Sequence, residues 1–235
     1  PAVDPHQAGR VRGAPLGWVA AAAAPSGAHG SLWRTDLSLL NRSGGLATAE
    51  IRYRGDDGAT GTLTLAIGSG EQHLLEDAVS ALGSSGGGWI EIVSDQAIHV
   101  LSRTFNLGDE GSYGQSLDGI ATSATASAGK VVWLPQLAQN ELFRTNIGLV
   151  NGSQAEARVR LRLFDAGGQE LAARSYALDP VARRQLQEPF SRLAGRDDLE
   201  ACYASVEVES GEGVIAYASV IDNVTNDPTT MPMRF

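Results

Sequence analysis

This sequence is poor in cysteine, lysine, histidine and long apolar runs, and each shortage excludes something. Cys202 is the one cysteine, so no intrachain disulfide can form. It sits between Ala201 and Tyr203 in a strand-like run and reads as a buried, inert thiol. Lys130 is the one lysine, and the arginines alternate with aliphatics instead of forming a patch. With a net charge of −9 and a pI near 4.9, neither nucleic acid nor an anionic membrane is an expected partner. The apolar run Trp18 to Ala24 is too short to span a bilayer, so no membrane insertion is expected. The chain starts at Pro1 without Met, and its first residues lack the basic and apolar parts of a signal peptide, which suits a processed or trimmed chain.

Histidine is equally sparse. His6, His29, His73 and His99 are scattered, without i,i+4 spacing or a cysteine partner, so zinc ligation is unsupported. No Gly-x-Ser-x-Gly elbow is present, and the glycine cluster at 83–88 lacks the Gly-Lys-Ser/Thr ending of a phosphate loop. The expectation is a protein that is not an enzyme and has no obligatory cofactor.

What the sequence does contain is an internal repeat. Trp33-Arg34-Thr35-Asp36-Leu37-Ser38-Leu39-Leu40-Asn41 is echoed, 110 residues on, by Phe143-Arg144-Thr145-Asn146-Ile147-Gly148-Leu149-Val150-Asn151. A repeated unit of that size means two copies of one domain, each large enough to bury a core without staples. Strict alternation recurs in both copies, as in Ala49, Ile51 and Tyr53 against Glu50, Arg52 and Arg54, and in Val159, Leu161 and Leu163 against Arg158, Arg160 and Arg162. Gly55-Asp56-Asp57-Gly58 and Asp165-Ala166-Gly167-Gly168 read as hairpin turns. Glu76–Leu82 and Glu188–Leu193 read as short helices closed by Gly83 and Gly195. The alanine-rich 18–24 run is expected as an edge strand, like its strand-like counterpart at Val131. Residues 90–94 align with 206–210, and 98–105 with 214–221, at an offset of 116.

The fold class implied is all-β: two tandem immunoglobulin-like β-sandwich domains, each with one short helix. The expected boundaries are an extended N-terminal arm at 1–16, domain 1 at 17–120, a small-residue linker at 121–130 and domain 2 at 131–235.

Few residues suggest chemistry. Asp222, Asn226 and Asp227 gather side-chain oxygens in a short loop, a candidate calcium site. Gly108-Asp109-Glu110-Gly111 occupies the matching place in the first copy. Among the aromatics that could stack on a sugar (Trp18, Trp33, Trp89, Trp133 and Tyr113), Trp33 and Trp89 fall in phase with core aliphatics. Tyr113 is expected to be the freest, in a glycine-rich loop. Arg34 and Arg144 are kept in both copies on the outward strand phase, a place to look for a partner unless each is tied down within its own sandwich.

The run Trp33-Arg34-Thr35-Asp36-Leu37 with Leu39 and Asn41, followed by Ser102-Arg103-Thr104-Phe105-Asn106 and Gly111-Ser112-Tyr113-Gly114-Gln115-Ser116, resembles an uncharacterised repeat of exported bacterial proteins. That repeat occurs singly or in tandem within larger surface or secreted chains. The resemblance covers nearly all of the first copy. The second departs from it, with Asn146 for Asp36 and Ala218-Ser219-Val220 for Ser102-Arg103-Thr104. It implies an extracellular or cell-surface location and a sandwich fold, and supplies neither catalytic residues nor a ligand. The expected function is non-catalytic, structural or adhesive, through a protein partner or self-assembly. A glycan-binding module and an inhibitor of an extracellular enzyme are the alternatives.

Overall fold

The computed structural model describes residues 17–24, 32–108 and 111–235. The expected N-terminal arm, His6, His29 and the acidic pair at 109–110 lie outside the described residues. The first copy runs β1 (Gly17–Ala24), β2 (Trp33–Asn41), β3 (Ala47–Gly55), β4 (Thr60–Ile67), β5 (Gln72–Leu75), α1 (Ala78–Ala81), β6 (Gly86–Ser94), β7 (Ile98–Gly108), β8 (Gly111–Asp118) and β9 (Ile120–Ala121). A 3-10 turn at Thr122–Ala124 leads to the second copy. This runs β10 (Val131–Gln139), β11 (Phe143–Asn151), β12 (Ala157–Asp165), β13 (Glu170–Leu178), β14 (Ala182–Gln187), α2 (Pro189–Ala194), β15 (Leu199–Ser210), β16 (Val214–Asp222) and β17 (Pro228–Pro232).

The molecule is all-β, and the two copies share one topology. In the first, β4-β3-β6-β1-β9 faces β5-β2-β7-β8; in the second, β13-β12-β15-β10 faces β14-β11-β16-β17. Each sandwich therefore carries four principal strands per sheet, where a constant-type immunoglobulin domain divides seven as four and three. β1 pairs along one side with β6 and is an edge except where β9 covers Gly17 and Trp18. Arg234 closes the same edge in the second copy by exchanging backbone bonds with Trp133. Grouped by Cα proximity, residues 17–24, 34–104 and 117–122 form one compact unit; the remaining described residues form the other. Residues 111–116 of β8 count with the second unit, where Gln115 bonds Ser219 and accepts from Thr230 at 2.7 Å. Ala126, in the expected linker, is buried and pairs with Val214.

Alternation builds both cores. Val19, Leu37, Leu39, Ile51, Ile67, Ile90 and Ile92 are fully buried in the first copy, and Val132, Leu134, Ile147, Leu149, Leu161, Leu163, Phe190 and Val206 in the second. Cys202 is buried with that second group, and desolvation pushes its thiol up to about 12. The short helices follow residues forced into the left-handed region, Asp77 at φ 44° and Glu188 at φ 47°.

One alignment needs correction. Ile51 pairs with Ile92, while Leu161 pairs with Val206, so β6 and β15 match at an offset of 114, not 116. A slip of two residues leaves every side chain on its original face, so the hydrophobic pattern could not detect it. β7 and β16 keep the larger offset, because Thr35 meets Thr104 where its counterpart Thr145 pairs with Val220.

Candidate functional site

The repeated motif resolves residue by residue into fold. Thr35 is fully buried, and its hydroxyl donates to the Ala23 carbonyl at 3.2 Å while the Ala23 N–H donates back at 2.9 Å. Thr145 repeats this by donating to the Ala138 carbonyl at 2.6 Å. In each copy one threonine thus stitches the second strand to the first strand of the facing sheet. The next residue catches the helix entrance: Asp36 accepts from the Asp77 N–H at 3.0 Å, and Asn146 from the Glu188 N–H at 3.2 Å. An amide oxygen serves as well as a carboxylate there, which is why the change from Asp to Asn is harmless.

The closing asparagines are also equivalent. Asn41 donates to the Gly45 and Ile67 carbonyls and accepts from Ser43. Asn151 donates to the Ala155, Leu178 and Asp179 carbonyls and accepts from Ser153. Both are fully buried, and in each copy one of the bonds, to Ile67 or to Leu178, satisfies a carbonyl inside the sandwich.

The two arginines are held unequally. Arg34 lies 4.0 Å from the Asp77 carboxylate and is half exposed, so the pair contributes little. Arg144 is held more firmly, donating 2.8 Å bonds to the side-chain oxygens of both Asn223 and Asn226. Its pKa is lowered, chiefly by desolvation, against the raising influence of Glu188 and Asp222. This guanidinium stands among the very oxygens expected to attract calcium. Asp222 spends one carboxylate oxygen on the N–H groups of Val224 and Thr225, at 2.8 and 2.7 Å. Those bonds, Thr225 foremost, hold its pKa below the ordinary carboxylate value. Asp227 donates its N–H to the Thr225 hydroxyl, and its carbonyl accepts from the Asp222 N–H. Asn226 completes the turn at φ 58°. The loop is an Asx turn wrapped around an internal cation, Arg144.

Tyr113 belongs to β8, not to a loop; it is half-buried, and its ring lies against Gly108. Gly108, at the end of β7, has no Cβ to crowd that ring. His73 lies in β5 and His99 in β7.

Three side chains that no single stretch of sequence unites form the most distinctive surface. Trp133 of β10, Phe164 of β12 and Tyr203 of β15 meet on the outer face of the second copy's β13-β12-β15-β10 sheet. Phe164 and Tyr203 are register partners, and their rings stack at 4.8 Å and 10°. Trp133 leans on both at 6.4 and 6.1 Å, tilted by 40° and 46°. It is 43% exposed. Arginine–glutamate pairs continue the face: Arg162–Glu207 at 3.1 Å and Arg158–Glu209 at 2.9 Å.

The first copy provides the comparison. Through the strand registers, Trp18 corresponds to Trp133, Trp89 to Tyr203 and Arg54 to Phe164. Trp18 and Trp89 are 2% and 1% exposed, and Glu91 beside them is likewise buried, bonded to Arg52 and Arg54. One face, built twice, is shielded in the first copy and open in the second. Trp89 is buried, as its strand phase predicts, on the face it shares with Arg54 rather than with Ile90 and Ile92.

No protein-family model and no curated protein matches this sequence. Among solved structures, the Thermotoga maritima protein 1070 is 13% identical, with a TM-score of 0.36, over 46% of this chain and 93% of its own. The Anabaena sensory rhodopsin transducer is 8% identical, with a TM-score of 0.31, over 39% and 98%. The PBSX exported protein XepA is 11% identical, with a TM-score of 0.23, over 88% and 85%. Likenesses at this level place no ligand or activity on this chain.

Proposed function

We propose that this chain is a non-catalytic structural or adhesive protein of the cell exterior, and that its second sandwich holds a protein partner through the outer face of β13-β12-β15-β10. The observation that carries this reading is the Trp133–Phe164–Tyr203 cluster, with Trp133 exposed where its first-copy counterpart, Trp18, is buried. Leaving a large aromatic in water forfeits about 2 kcal/mol that burial would return. A rigid Trp–Tyr–Phe group beside arginine has the composition of an interface centre. Location outside the cell rests on the resemblance to exported repeats.

A second reading is a glycan-binding module. One observation favours it: Trp133 is tilted against the stacked pair and 43% exposed, so part of its ring is free to meet a sugar face. Phe164 and Tyr203, by contrast, spend a face on each other.

Chemical cross-linking from this face in an extract of the source cells tests the proposal, with Trp133→Ala/Tyr203→Ala as the comparison. A protein adduct formed by the wild type and lost in the double variant is expected. Equal adducts from both proteins would reject the face. A glycan array answered by the wild type and not by Trp133→Ala would transfer the surface to sugar.

A further inference from the structure

The second copy departs from the first at another place, the side of the sandwich where β13 and β14 end their sheets and α2 packs against β13. Positions that hold Leu63, Leu65 and His73 in the first copy hold Arg174, Tyr176 and Arg184 in the second, as the pairings with Ile51, Ala49 and Leu39, and with Leu161, Val159 and Leu149, establish. All three take the inward phase by register, and the two arginines at the sheet edges remain exposed to solvent. Tyr176 is nearly buried, and both guanidiniums stand over its ring, at 5.5 and 5.6 Å from the centroid. Among the described residues neither arginine has a carboxylate partner. Arg52, Arg54, Arg158, Arg162 and Arg196 all do, in a chain with nine more acids than bases.

Inward-pointing charge at a sheet edge normally keeps other strands away. That rejection is selective. A neutral or apolar strand added to β13 would bury two unneutralised cations, whereas a strand with a carboxylate on its inward phase would neutralise them. Arginine's planar fork suits a carboxylate, and the added backbone would bond the unpaired N–H and C=O groups of β13. We propose that β13 accepts an extended acidic peptide segment as an added antiparallel or parallel strand, with an inward carboxylate held between Arg174 and Arg184. This uses residues separate from the aromatic face and stands or falls independently of it.

The test uses the full chain and three capped peptides of strand length that alternate valine with glutamate, lysine or glutamine. Binding is read by titration calorimetry, and the backbone contact by amide exchange. The Glu/Val peptide is expected to bind and to slow exchange across 170–178, with the other two at least tenfold weaker. Arg174→Ala and Arg184→Ala should each weaken it about tenfold, and Arg174→Glu/Arg184→Glu should reverse the preference toward Lys/Val. Binding that ignores these substitutions, or no binding of Glu/Val at all, overturns the proposal. So does capture of an oligouronate without slowed exchange in β13, which would make the arginines a sugar-acid site.

Discussion

Replacing Asn151 with alanine should cost the second sandwich more than any other single truncation in the repeated motif. Its amide shares two hydrogens among three carbonyls, Ala155 at 2.8 Å and Leu178 and Asp179 at 3.1 Å. Its oxygen accepts from the Ser153 N–H at 3.0 Å and the Ser153 hydroxyl at 2.8 Å. Alanine removes all of this and takes the amide donor from the buried Leu178 carbonyl. At about 1 kcal/mol net per bond, with the added penalty of stranding buried polar groups, the loss comes to about 3–5 kcal/mol. For a sandwich of this size that lowers its melting temperature by about 15 °C or more. Differential scanning calorimetry of the wild type, Asn151→Ala and Asn41→Ala measures it, since the two substitutions strike different sandwiches. Asn151→Asp adds a check on sign. A carboxylate facing the Leu178 carbonyl has a folded pKa above its unfolded value, so whatever stability the variant keeps is present in mild acid and lost as pH rises through that pKa. A cost below about 1 kcal/mol for Asn151→Ala would refute the idea that this residue closes the corner.

Arg144→Ala should speed amide exchange at Val224 and Thr225 and lower stability by about 1 kcal/mol, since two charge-assisted bonds from a partly buried guanidinium vanish. Calcium should leave the same amides unmoved in the wild type; a saturable shift there would mean that the ion, not Arg144, organises the loop. Because backbone donors hold the Asp222 pKa below its ordinary value, the loop's contribution is present at neutral pH and fades only as acid titrates it through that lowered value. The Cys202 thiol, pushed up to about 12 by burial, should resist alkylation at pH 8 until the chain unfolds; prompt labelling of the native protein would contradict the packing.

The sequence reading reached the sandwich through features that are local. Alternation marks β2, β3 and β12 because one face of each meets a core, and Gly195 ends α2 in the left-handed conformation its position suggested. It also isolated the Arg-Thr-Asp/Asn and Asn positions, though their partners lie on other elements: Ala23 for Thr35, Asp77 for Asp36. The candidate site was illegible for the same reason on a larger scale. Residues 133, 164 and 203 become neighbours only through strand register, and a two-residue slip that preserves every face is invisible to periodicity. Glycine density suggests a turn at Tyr113, whereas Gly111 and Gly114 lie with it in an extended strand. The arginines of the β13–β14 opening gave no signal either, since exposed arginine in an alternating strand is ordinary until the edge is known.

Oxidative footprinting of the tryptophans, with the protein free and then cross-linked to its partner, tests the central claim most directly. Trp18 and Trp89, almost fully shielded, should react slowly throughout, and Trp133, 43% exposed, should react quickly in the free chain and fall to their level in the complex. Undiminished oxidation of Trp133 in a complex that has formed would contradict the account, because the partner would then be held by some other surface.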